Sequence, residues 1–388
     1  MTEEVKVLWQ PNQDVIRNSN ILRFVDWLGE VFGLRFEVSI DDPLRNVGNY
    51  DRLWRWSVED LENFWVSVWR YFGVISHSPY TKVLEPKTMP GTRWFIGSRL
   101  NYAEHVFKAA RWGGEEAVIY VREDGLRRSL TWDQLYREVA ALADWLRSVG
   151  VGRGGDRVAA YVSQVPEAVV ALLATASIGG AIWVGGVGAE LAPRAAIDRF
   201  NLLQPRVLIA VDGYPYRGGR VFDKYGDIKQ IVDSVKSIER VVVVPNMRDS
   251  VELSLGKPVH DWREVTGRRG GVGLSFEPME FNEPLWVLFT SGGTTGIPKP
   301  VVHSHGGVLL EAYKVGLHMD YKPSDKFTWY TTPSWMMWNF TVDALLFGTT
   351  ILFYDGDPTA RNFEPTGRLR RRRVSQYLVS VRPIFTLP

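Results

Sequence analysis

The stretch RVAAYVSQVPEAVVALLATASIGGAIWVGG, from Arg157 to Gly186, decides the fold class. RVAAYV is a continuous apolar run of the kind that forms a strand buried on both faces, and AIWVGG repeats this pattern at the other end. The segment AVVALLATAS between them suits a crossover helix that stops at Gly179-Gly180. A strand, a helix and a second strand in this order predict a βαβ unit.

The same region offers a second interpretation, because Ala168 to Ala189 is 22 residues long and carries no charge. A bilayer core is spanned by roughly 20 apolar residues in a helix. This segment, however, is rich in Ala and Gly and is interrupted by the glycine pair. We therefore favour the strand–helix–strand unit over a membrane span.

Further apolar runs alternate with helical patterns along the chain. A capping-box pattern, Thr131-Trp132-Asp133-Gln134, predicts the start of an amphipathic helix that ends at Gly150. Four runs resemble buried strands: RVLIAV (Arg206 to Val211), RVVVV (Arg240 to Val244), LWVLF (Leu285 to Phe289) and TTILFY (Thr349 to Tyr354). This alternation predicts an α/β fold with mostly parallel sheets and flanking helices.

The chain divides into three predicted parts. Residues 1–115 are tryptophan-rich and helical in pattern, with Ser57 as a helix N-cap and Gly73 as its stop, and their aromatic stripe indicates core packing. Residues 116–358 form the α/β domain. Residues 359–388 form an arginine-rich tail, since RLRRRR (Arg368 to Arg373) precedes a segment with neither a helical nor a strand pattern.

Composition narrows the classes of function. The 388 residues hold 46 Lys and Arg against 44 Asp and Glu, so no whole-chain field attracts nucleic acid. The absence of Cys excludes disulfides, Cys-ligated zinc and thiol nucleophiles. The N-terminus lacks a basic and apolar signal pattern, and we expect a cytoplasmic protein.

One loop carries the clearest chemical signal. LWVLFTSGGTTGIPKPVVHSHGG, from Leu285 to Gly307, places a glycine- and hydroxyl-rich segment followed by a lysine between two apolar strands. Glycines allow backbone N–H groups to approach a polyanion, and the hydroxyls and the lysine add donors and charge. The set suits triphosphate binding. It is not a Walker A motif, in which the lysine directly follows the last glycine and a helix begins there.

This loop resembles the phosphate-binding signature of the adenylate-forming superfamily, [YF]-T-S-G-[TS]-T-G-x-P-K. Four further segments narrow the resemblance to the acetoacetyl-CoA synthetases within it: Tyr50 to Trp69, Thr92 to His105, Lys299 to Glu311, and Trp329 to Phe340. The resemblance runs from about Trp9 to Pro358. It implies an ATP-dependent acid–thiol ligase that uses ATP, Mg²⁺ and CoA to convert acetoacetate, or a similar short acid, into its CoA thioester through an acyl-adenylate. It implies no nucleic-acid partner.

The resemblance also assigns site residues. Trp335, Met336 and Met337 stand where the acyl pocket is lined, whereas Trp338 and Phe340 are expected to be core. Arg217 and Arg220 stand in a loop that helps to bind the CoA nucleotide, and an exposed turn with solvated arginines is an equally good interpretation. ATP phosphate binding falls to eight residues: Thr290, Ser291, Gly292, Gly293, Thr294, Thr295, Gly296 and Lys299.

Two departures from the family pattern bear on activity. The loop has one glycine more than the signature, which displaces some N–H groups relative to the phosphates. The adenine- and ribose-binding motifs and the adenylation lysine have no counterpart after Pro358, so no catalytic residue is assigned. These departures predict a truncated form with weak or no activity, or alternatively a non-catalytic nucleotide- or acyl-binding remnant. His303 and His305 lack a third ligand, and we expect no metal site.

Overall fold

Two mostly parallel sheets organise the molecule. The structure, a computed structural model, describes residues 10–152, 154–267, 273–291 and 298–358, and the backbone of residues 377–380. Its helices are α1 (Gln13–Arg17), α2 (Asn20–Val31), α3 (Asn46–Glu59), α4 (Leu61–Tyr71), α5 (Tyr102–Lys108), α6 (Trp132–Ser148), α7 (Glu167–Ile178), α8 (Pro193–Leu203), α9 (Tyr225–Ser234), α10 (Trp262–Thr266), α11 (His305–Met319) and α12 (Met336–Asp343), with 3₁₀ turns at Pro43–Arg45 and Ala344–Phe347.

The strands follow the same chain order. They are β1 (Lys82–Glu85), β2 (Arg93–Ile96), β3 (Arg99–Leu100), β4 (Glu116–Arg122), β5 (Arg127–Thr131), β6 (Arg157–Val162), β7 (Ile182–Gly188), β8 (Val207–Val211), β9 (Gly213–Tyr216), β10 (Arg220–Asp223), β11 (Arg240–Val244), β12 (Val259–Asp261), β13 (Met279–Glu280), β14 (Pro284–Phe289), β15 (Pro300–Ser304), β16 (Lys326–Tyr330), β17 (Thr350–Asp355) and β18 (Tyr377–Ser380).

The larger sheet has seven strands in the order β12-β11-β8-β6-β7-β14-β15. Each neighbouring pair is parallel except the last, in which β15 returns antiparallel to β14. The second sheet has the order β18-β16-β17-β4-β5, and it is parallel except for the β4–β5 pair. The predicted α/β class with mostly parallel sheets is confirmed.

The βαβ unit predicted from Arg157–Gly186 is present as β6–α7–β7. Every residue of α7 is buried, so the helix needs no polar face and is apolar all round. Gly179 ends it with φ of +70°, a conformation that favours glycine. No helix in the described ranges is long and apolar enough to cross a membrane.

The N-terminal part is helical and aromatic, as predicted, but its helices begin elsewhere. Ser57 lies inside α3, where its hydroxyl donates to the carbonyl of Trp54 at 2.6 Å, so its assignment as an N-cap is wrong. The cap is Asp60, whose carboxylate accepts from the backbone N–H of Asn63 at the start of α4. The chain turns at Asp60 because this carboxylate offers the helix start a better acceptor than a serine within a continuing helix.

The predicted tail contains a strand that its sequence pattern did not indicate. The backbone of Tyr377–Ser380 forms β18 and pairs in parallel with β16, from Phe327 opposite Tyr377 to Tyr330 opposite Ser380. An edge of a parallel sheet offers a row of free N–H and C=O groups, and these can pair a short segment that suits a strand in composition but does not alternate apolar and polar residues. Local pattern alone therefore missed this strand.

The two sheets meet where their parallel strands end. Asp355, the last residue of β17, is buried and accepts hydrogen bonds from the hydroxyls of Ser163, directly after β6, at 2.7 Å and of Tyr120, in β4, at 2.8 Å. Burial raises the pKa of Asp355, and these two donors oppose the rise. The side chain of Gln164 also donates to the carbonyl of Thr331, just after β16. Loops that follow strands of both sheets are thereby brought together.

Close packing at the centre of the large sheet depends on Gly185 in β7. A Cβ at this position would lie 2.7 Å from the side chain of Leu288 and 2.9 Å from the carbonyl oxygen of Val287. We expect Gly185→Ala to lower the free energy of unfolding by about 1–3 kcal/mol, because the neighbouring strand backbone cannot move aside. Urea unfolding followed by circular dichroism measures this. The control is Gly226→Ala in α9, where a Cβ meets nothing within 4 Å and stability should hold or rise. Equal losses in both variants would contradict the packing argument.

A buried histidine in α5 predicts sensitivity to acid. His105 donates from Nδ1 to the carbonyl of Asn101 at 2.7 Å and accepts at Nε2 from the N–H of Ile75 at 2.9 Å, so it is held neutral. Burial lowers its pKa to about 4 from the ordinary 6.5.

The unfolded chain therefore binds this proton first, and stability that is complete above pH 6.5 falls as the pH drops towards 4. We expect the His105 contribution to be about 2 kcal/mol smaller at pH 5 than at pH 8. His105→Gln, which keeps an acceptor for Ile75, should flatten the pH profile of urea unfolding, whereas His318→Gln at an exposed site should not. An unchanged profile in His105→Gln would refute this.

Candidate functional site: the carboxyl ends of β7 and β14

Two adjacent parallel strands direct the predicted binding segments to one side of the large sheet. Trp183 of β7 lies opposite Trp286 of β14, and Val184 lies opposite Val287. The segment after β14 is the predicted phosphate loop, and the carboxyl end of β7 contacts the segment that leads into α12. Ligands of open α/β sheets bind at this edge, beyond the carboxyl ends of the strands.

The base of the phosphate loop is closed by two reciprocal hydrogen bonds. The N–H of Thr290 donates to the carbonyl of Lys299 at 3.0 Å, and the N–H of Lys299 donates to Oγ1 of Thr290 at 2.9 Å. The side chains of Thr290, Ser291 and Lys299 are exposed. Gly292, Gly293, Thr294, Thr295 and Gly296 lie outside the described residues. The β14–β15 hairpin thus fixes both ends of the loop, and the exposed ammonium of Lys299 has no carboxylate within 4.0 Å among the described residues.

Arg199 of α8 adds a cation beside the entry to this loop, which the sequence did not indicate. Its guanidinium lies 5.3 Å from the ring centre of Phe289, the residue before Thr290. Partial burial lowers the pKa of Arg199, because its environment is less hydrated than bulk water. The guanidinium remains charged at any ordinary pH.

The predicted acyl-pocket residues begin α12. Trp335 is the residue before the helix, and its side chain is 53% exposed; Met336 is 44% exposed and Met337 is half-buried. The preceding residue, Ser334, accepts a hydrogen bond at its hydroxyl from the N–H of Gly188, at the end of β7. A Cβ at Gly186 would lie 2.7 Å from Pro333. The glycines of β7 therefore allow the start of α12 to dock directly on the strand.

The interior residues of α12 separate into two kinds. Trp338 is fully buried and stacks on Phe353 with ring centres 6.0 Å apart, and Phe340 packs against Phe327 at 5.9 Å, as expected of core side chains. Asn339, between them, is also fully buried, and neither polar atom of its side chain has a partner in the described residues. Sequence reasoning missed Asn339, because a single polar residue in an aromatic helix gives no separate signal.

A carboxylate lies near the same helix start. The side chain of Glu190, just after β7, lies so close to Gly188 that a Cβ there would meet its oxygens. Desolvation by the surrounding groups raises the pKa of Glu190. Glu190 adds a carboxyl group to the polar edge of the site, and no sequence motif predicted it.

Arg217 and Arg220 flank the turn between β9 and β10. Both are exposed, and in the described part of the chain neither lies within 4.0 Å of a carboxylate. The N–H groups of Gly218 and Gly219 in the turn donate to Oε1 of Glu123, which fixes the turn against the end of β4. The pair is available to a phosphate, and the alternative of a merely solvated turn remains equally compatible with this geometry.

The two histidines near the loop have structural surroundings. His305 is fully buried, and burial lowers its pKa to about 3. His303 is partly buried, and burial lowers its pKa as well. Within the described ranges no group of three His, Cys, Asp or Glu side chains is arranged to hold a metal ion.

Two family profiles and several known proteins match the sequence of this chain. The profile of the family "AMP-binding enzyme" matches residues 107–380, and that of "Acetyl-coenzyme A synthetase N-terminus" matches residues 50–106. The first match extends past Pro358 into the segment predicted as a tail. An acetoacetyl-coenzyme A synthetase of Rhizobium meliloti is 35% identical over 356 residues, which cover 90% of this chain and 51% of that protein.

Two further acetoacetyl-CoA synthetases match most of the chain. An acetoacetyl-CoA synthetase of Macaca fascicularis is 34% identical over 367 residues, 92% of this chain and 51% of that protein. The solved structure of acetoacetyl-CoA synthetase from Streptomyces lividans is 39% identical and superposes with a TM-score of 0.86, over 97% of this chain and 55% of that one. The chain spans about half the length of the curated relatives it matches. Because the profile of the AMP-binding enzyme family matches residues 107–380, which are more than half of the chain, the chain belongs to that family.

Proposed function

We propose that this chain provides the nucleotide- and acyl-binding part of an acetoacetate–CoA ligase. In that reaction a carboxylate oxygen of acetoacetate attacks the α-phosphorus of ATP, the bond to diphosphate breaks, and acetoacetyl-AMP forms. The thiolate of CoA then attacks the acyl carbonyl, and AMP leaves. The relatives that carry this name support acetoacetate as the acid, and a different short acid remains the alternative substrate.

One observation carries the proposal: adjacent parallel strands present the phosphate loop and the acyl-pocket helix on the same edge of one sheet. An acid and a nucleotide must be held with their reacting atoms about 3–3.5 Å apart before displacement can occur. β7 and β14 are neighbouring strands, and neighbouring strands lie about 4.8 Å apart. The loop that leaves β14 and the start of α12, which docks on the carboxyl end of β7, can therefore bring two substrates together.

The residues of this chain have distinct tasks in that reaction. The N–H groups and hydroxyls of the loop that begins at Thr290 orient the phosphates, and the ammonium of Lys299 offsets their charge. Trp335, Met336 and Met337 enclose the short acyl chain and exclude water from it. Arg217 and Arg220 attract the phosphates of CoA to the far side of the site. A cytoplasmic location stays a prediction.

The alternative is a non-catalytic remnant that binds nucleotide or acid without joining them. Both proposals share the same binding residues, and they differ only in whether acetoacetyl-AMP forms. The adenine-binding motif, the ribose-binding motif and the adenylation lysine of the resembled family have no counterpart in the given sequence after Pro358. We therefore propose that the 388-residue polypeptide is weakly active or inactive when it is assayed by itself.

The contribution of the Lys299 side chain to nucleotide binding can be isolated, since the two hydrogen bonds that close the loop among the described residues use its backbone. We expect Lys299→Ala to weaken ATP binding about 10- to 100-fold, the range expected for loss of a hydrogen bond to a charged group. Titration calorimetry measures this. Lys229→Ala, which removes an exposed lysine on α9 paired with Asp233, is the matched control and should bind like the wild type. Wild-type affinity in Lys299→Ala would refute the phosphate assignment.

The reaction itself is tested with the 388-residue polypeptide, ATP, Mg²⁺ and acetoacetate, with and without CoA. We expect AMP release at least about 100-fold below the roughly 1 s⁻¹ that marks the slow end of ordinary enzymes, because each missing positioning group costs about that factor. A slow release that requires acetoacetate supports the ligase. Binding of ATP with no acid-dependent AMP release supports the remnant, and turnover near 1 s⁻¹ would contradict the expectation of weak activity.

A further inference from the structure

The side chain of Asn339 is buried without a hydrogen-bond partner. Its accessibility is 0%, and both Oδ1 and Nδ2 lack a partner in the part of the chain that the structure describes. An amide can donate two hydrogen bonds and accept two, and almost all buried amides satisfy some of them within the protein. An amide that satisfies none is a costly residue to keep for packing alone.

The position of Asn339 on α12 indicates where a hydrogen-bond partner from outside the chain would lie. Asn339 follows Met336 by three residues, so these two share one face of α12, and Trp335 is the residue directly before the helix. Exposure falls from 53% at Trp335 and 44% at Met336 to 0% at Asn339. Asn339 therefore forms the next layer inward from the side chains that open the acyl pocket.

The next polar side chain on the same face behaves differently. Asp343, one further turn along α12, is buried as well, and it accepts a hydrogen bond from the hydroxyl of Tyr102 at 2.6 Å. Among the described residues, the fold thus provides a partner at the deeper position and none at Asn339. This contrast locates the unsatisfied group between the pocket opening and the closed core.

The chemistry of a 3-oxo acid matches this group. Acetoacetate and butyrate have the same number of carbon atoms, and they differ by one carbonyl oxygen at the third carbon. That oxygen accepts hydrogen bonds and loses its water on entering an apolar pocket, so it requires a donor there. A site built to hydrogen-bond such an oxygen discriminates against the analogue that lacks it.

We propose that the Nδ2 amide of Asn339 donates a hydrogen bond to the 3-oxo oxygen of the acyl substrate, so that this residue selects 3-oxo acids over plain short-chain acids. The inference rests on the proposed function, since it takes the Trp335–Met337 surface as the acyl pocket. It adds the group that distinguishes one short acid from another. The aromatic and thioether side chains at the opening are apolar and accept either acid.

The test measures binding of acetoacetate and of butyrate to the 388-residue polypeptide by titration calorimetry. In Asn339→Leu, which keeps the size of the side chain and removes its polar atoms, we expect acetoacetate binding to weaken about 10-fold or more. Butyrate binding should be unchanged or tighter. Without ligand, the thermal midpoint of Asn339→Leu should hold or rise, because an unsatisfied amide has been replaced by an apolar group.

Thr341→Val is the matched control on the same helix. Thr341 is fully buried, and its hydroxyl already donates to the carbonyl of Met337 at 2.8 Å. This variant should keep the wild-type ratio of the two affinities, whatever it does to stability. An unchanged ratio in Asn339→Leu would overturn the inference while leaving the acyl pocket in place.

Two other outcomes also count against the inference and have different meanings. If Asn339→Leu weakens both acids equally and lowers the thermal midpoint, Asn339 supports the fold and does not read the substrate. If the wild type binds neither acid, the acyl-pocket assignment itself fails, and with it the proposed function. The binding ratio and the wild-type affinity thus separate the two proposals.

Discussion

The buried carboxylate of Asp355 is the contact on which the arrangement of the two sheets depends. It ends a strand of one sheet and accepts hydrogen bonds from Ser163, after a strand of the other, and from Tyr120 within its own. A buried carboxyl group is stable only when such donors surround it, and removing one donor would leave an unsatisfied polar atom costing about 1–3 kcal/mol. This requirement fixes which strand ends face each other. Every segment that leaves those ends is consequently directed into one region.

The glycines of β7 allow these converging segments to pack closely enough to form the candidate site. At Gly185 and Gly186 a Cβ would collide with β14 and with Pro333, respectively, and at Gly188 it would meet the carboxylate of Glu190. The absence of side chains here lets the sheet, the phosphate-loop hairpin and the start of α12 approach one another at backbone distance. An alanine-rich strand would have the same hydrophobicity and would hold these parts further apart. The site therefore depends on the shape of β7 more than on its polarity.

Much of the fold was predictable from the sequence, because continuous apolar runs such as RVAAYV and RVVVV identify buried parallel strands, and the Thr131 capping box marks a helix start. The failures have local causes. Ser57 resembles a cap in sequence, but Asp60 offers a stronger acceptor three residues later. β18 forms because an open sheet edge is available to it, and a neighbour of that kind is invisible in the segment's own pattern. Strand pairing between distant segments is a tertiary property.

The sequence predicted only those parts of the candidate site that lie in a recognisable motif. Glycines, hydroxyls and a lysine announce a phosphate loop, whereas Asn339 stands in Trp-Met-Met-Trp-Asn-Phe, a run that indicates core on every local criterion. Asn339 stands out only in the three-dimensional structure, where its side chain is completely buried and no described residue hydrogen-bonds to it. Leaving an amide unsatisfied costs about 1–3 kcal/mol, a sizeable part of a typical stability of about 5–15 kcal/mol. A protein retains such a loss of stability, with no benefit to function, only if nothing selects against it. A substrate oxygen that enters the pocket recovers the same interaction on binding, so stability given up in the free protein becomes discrimination between acids.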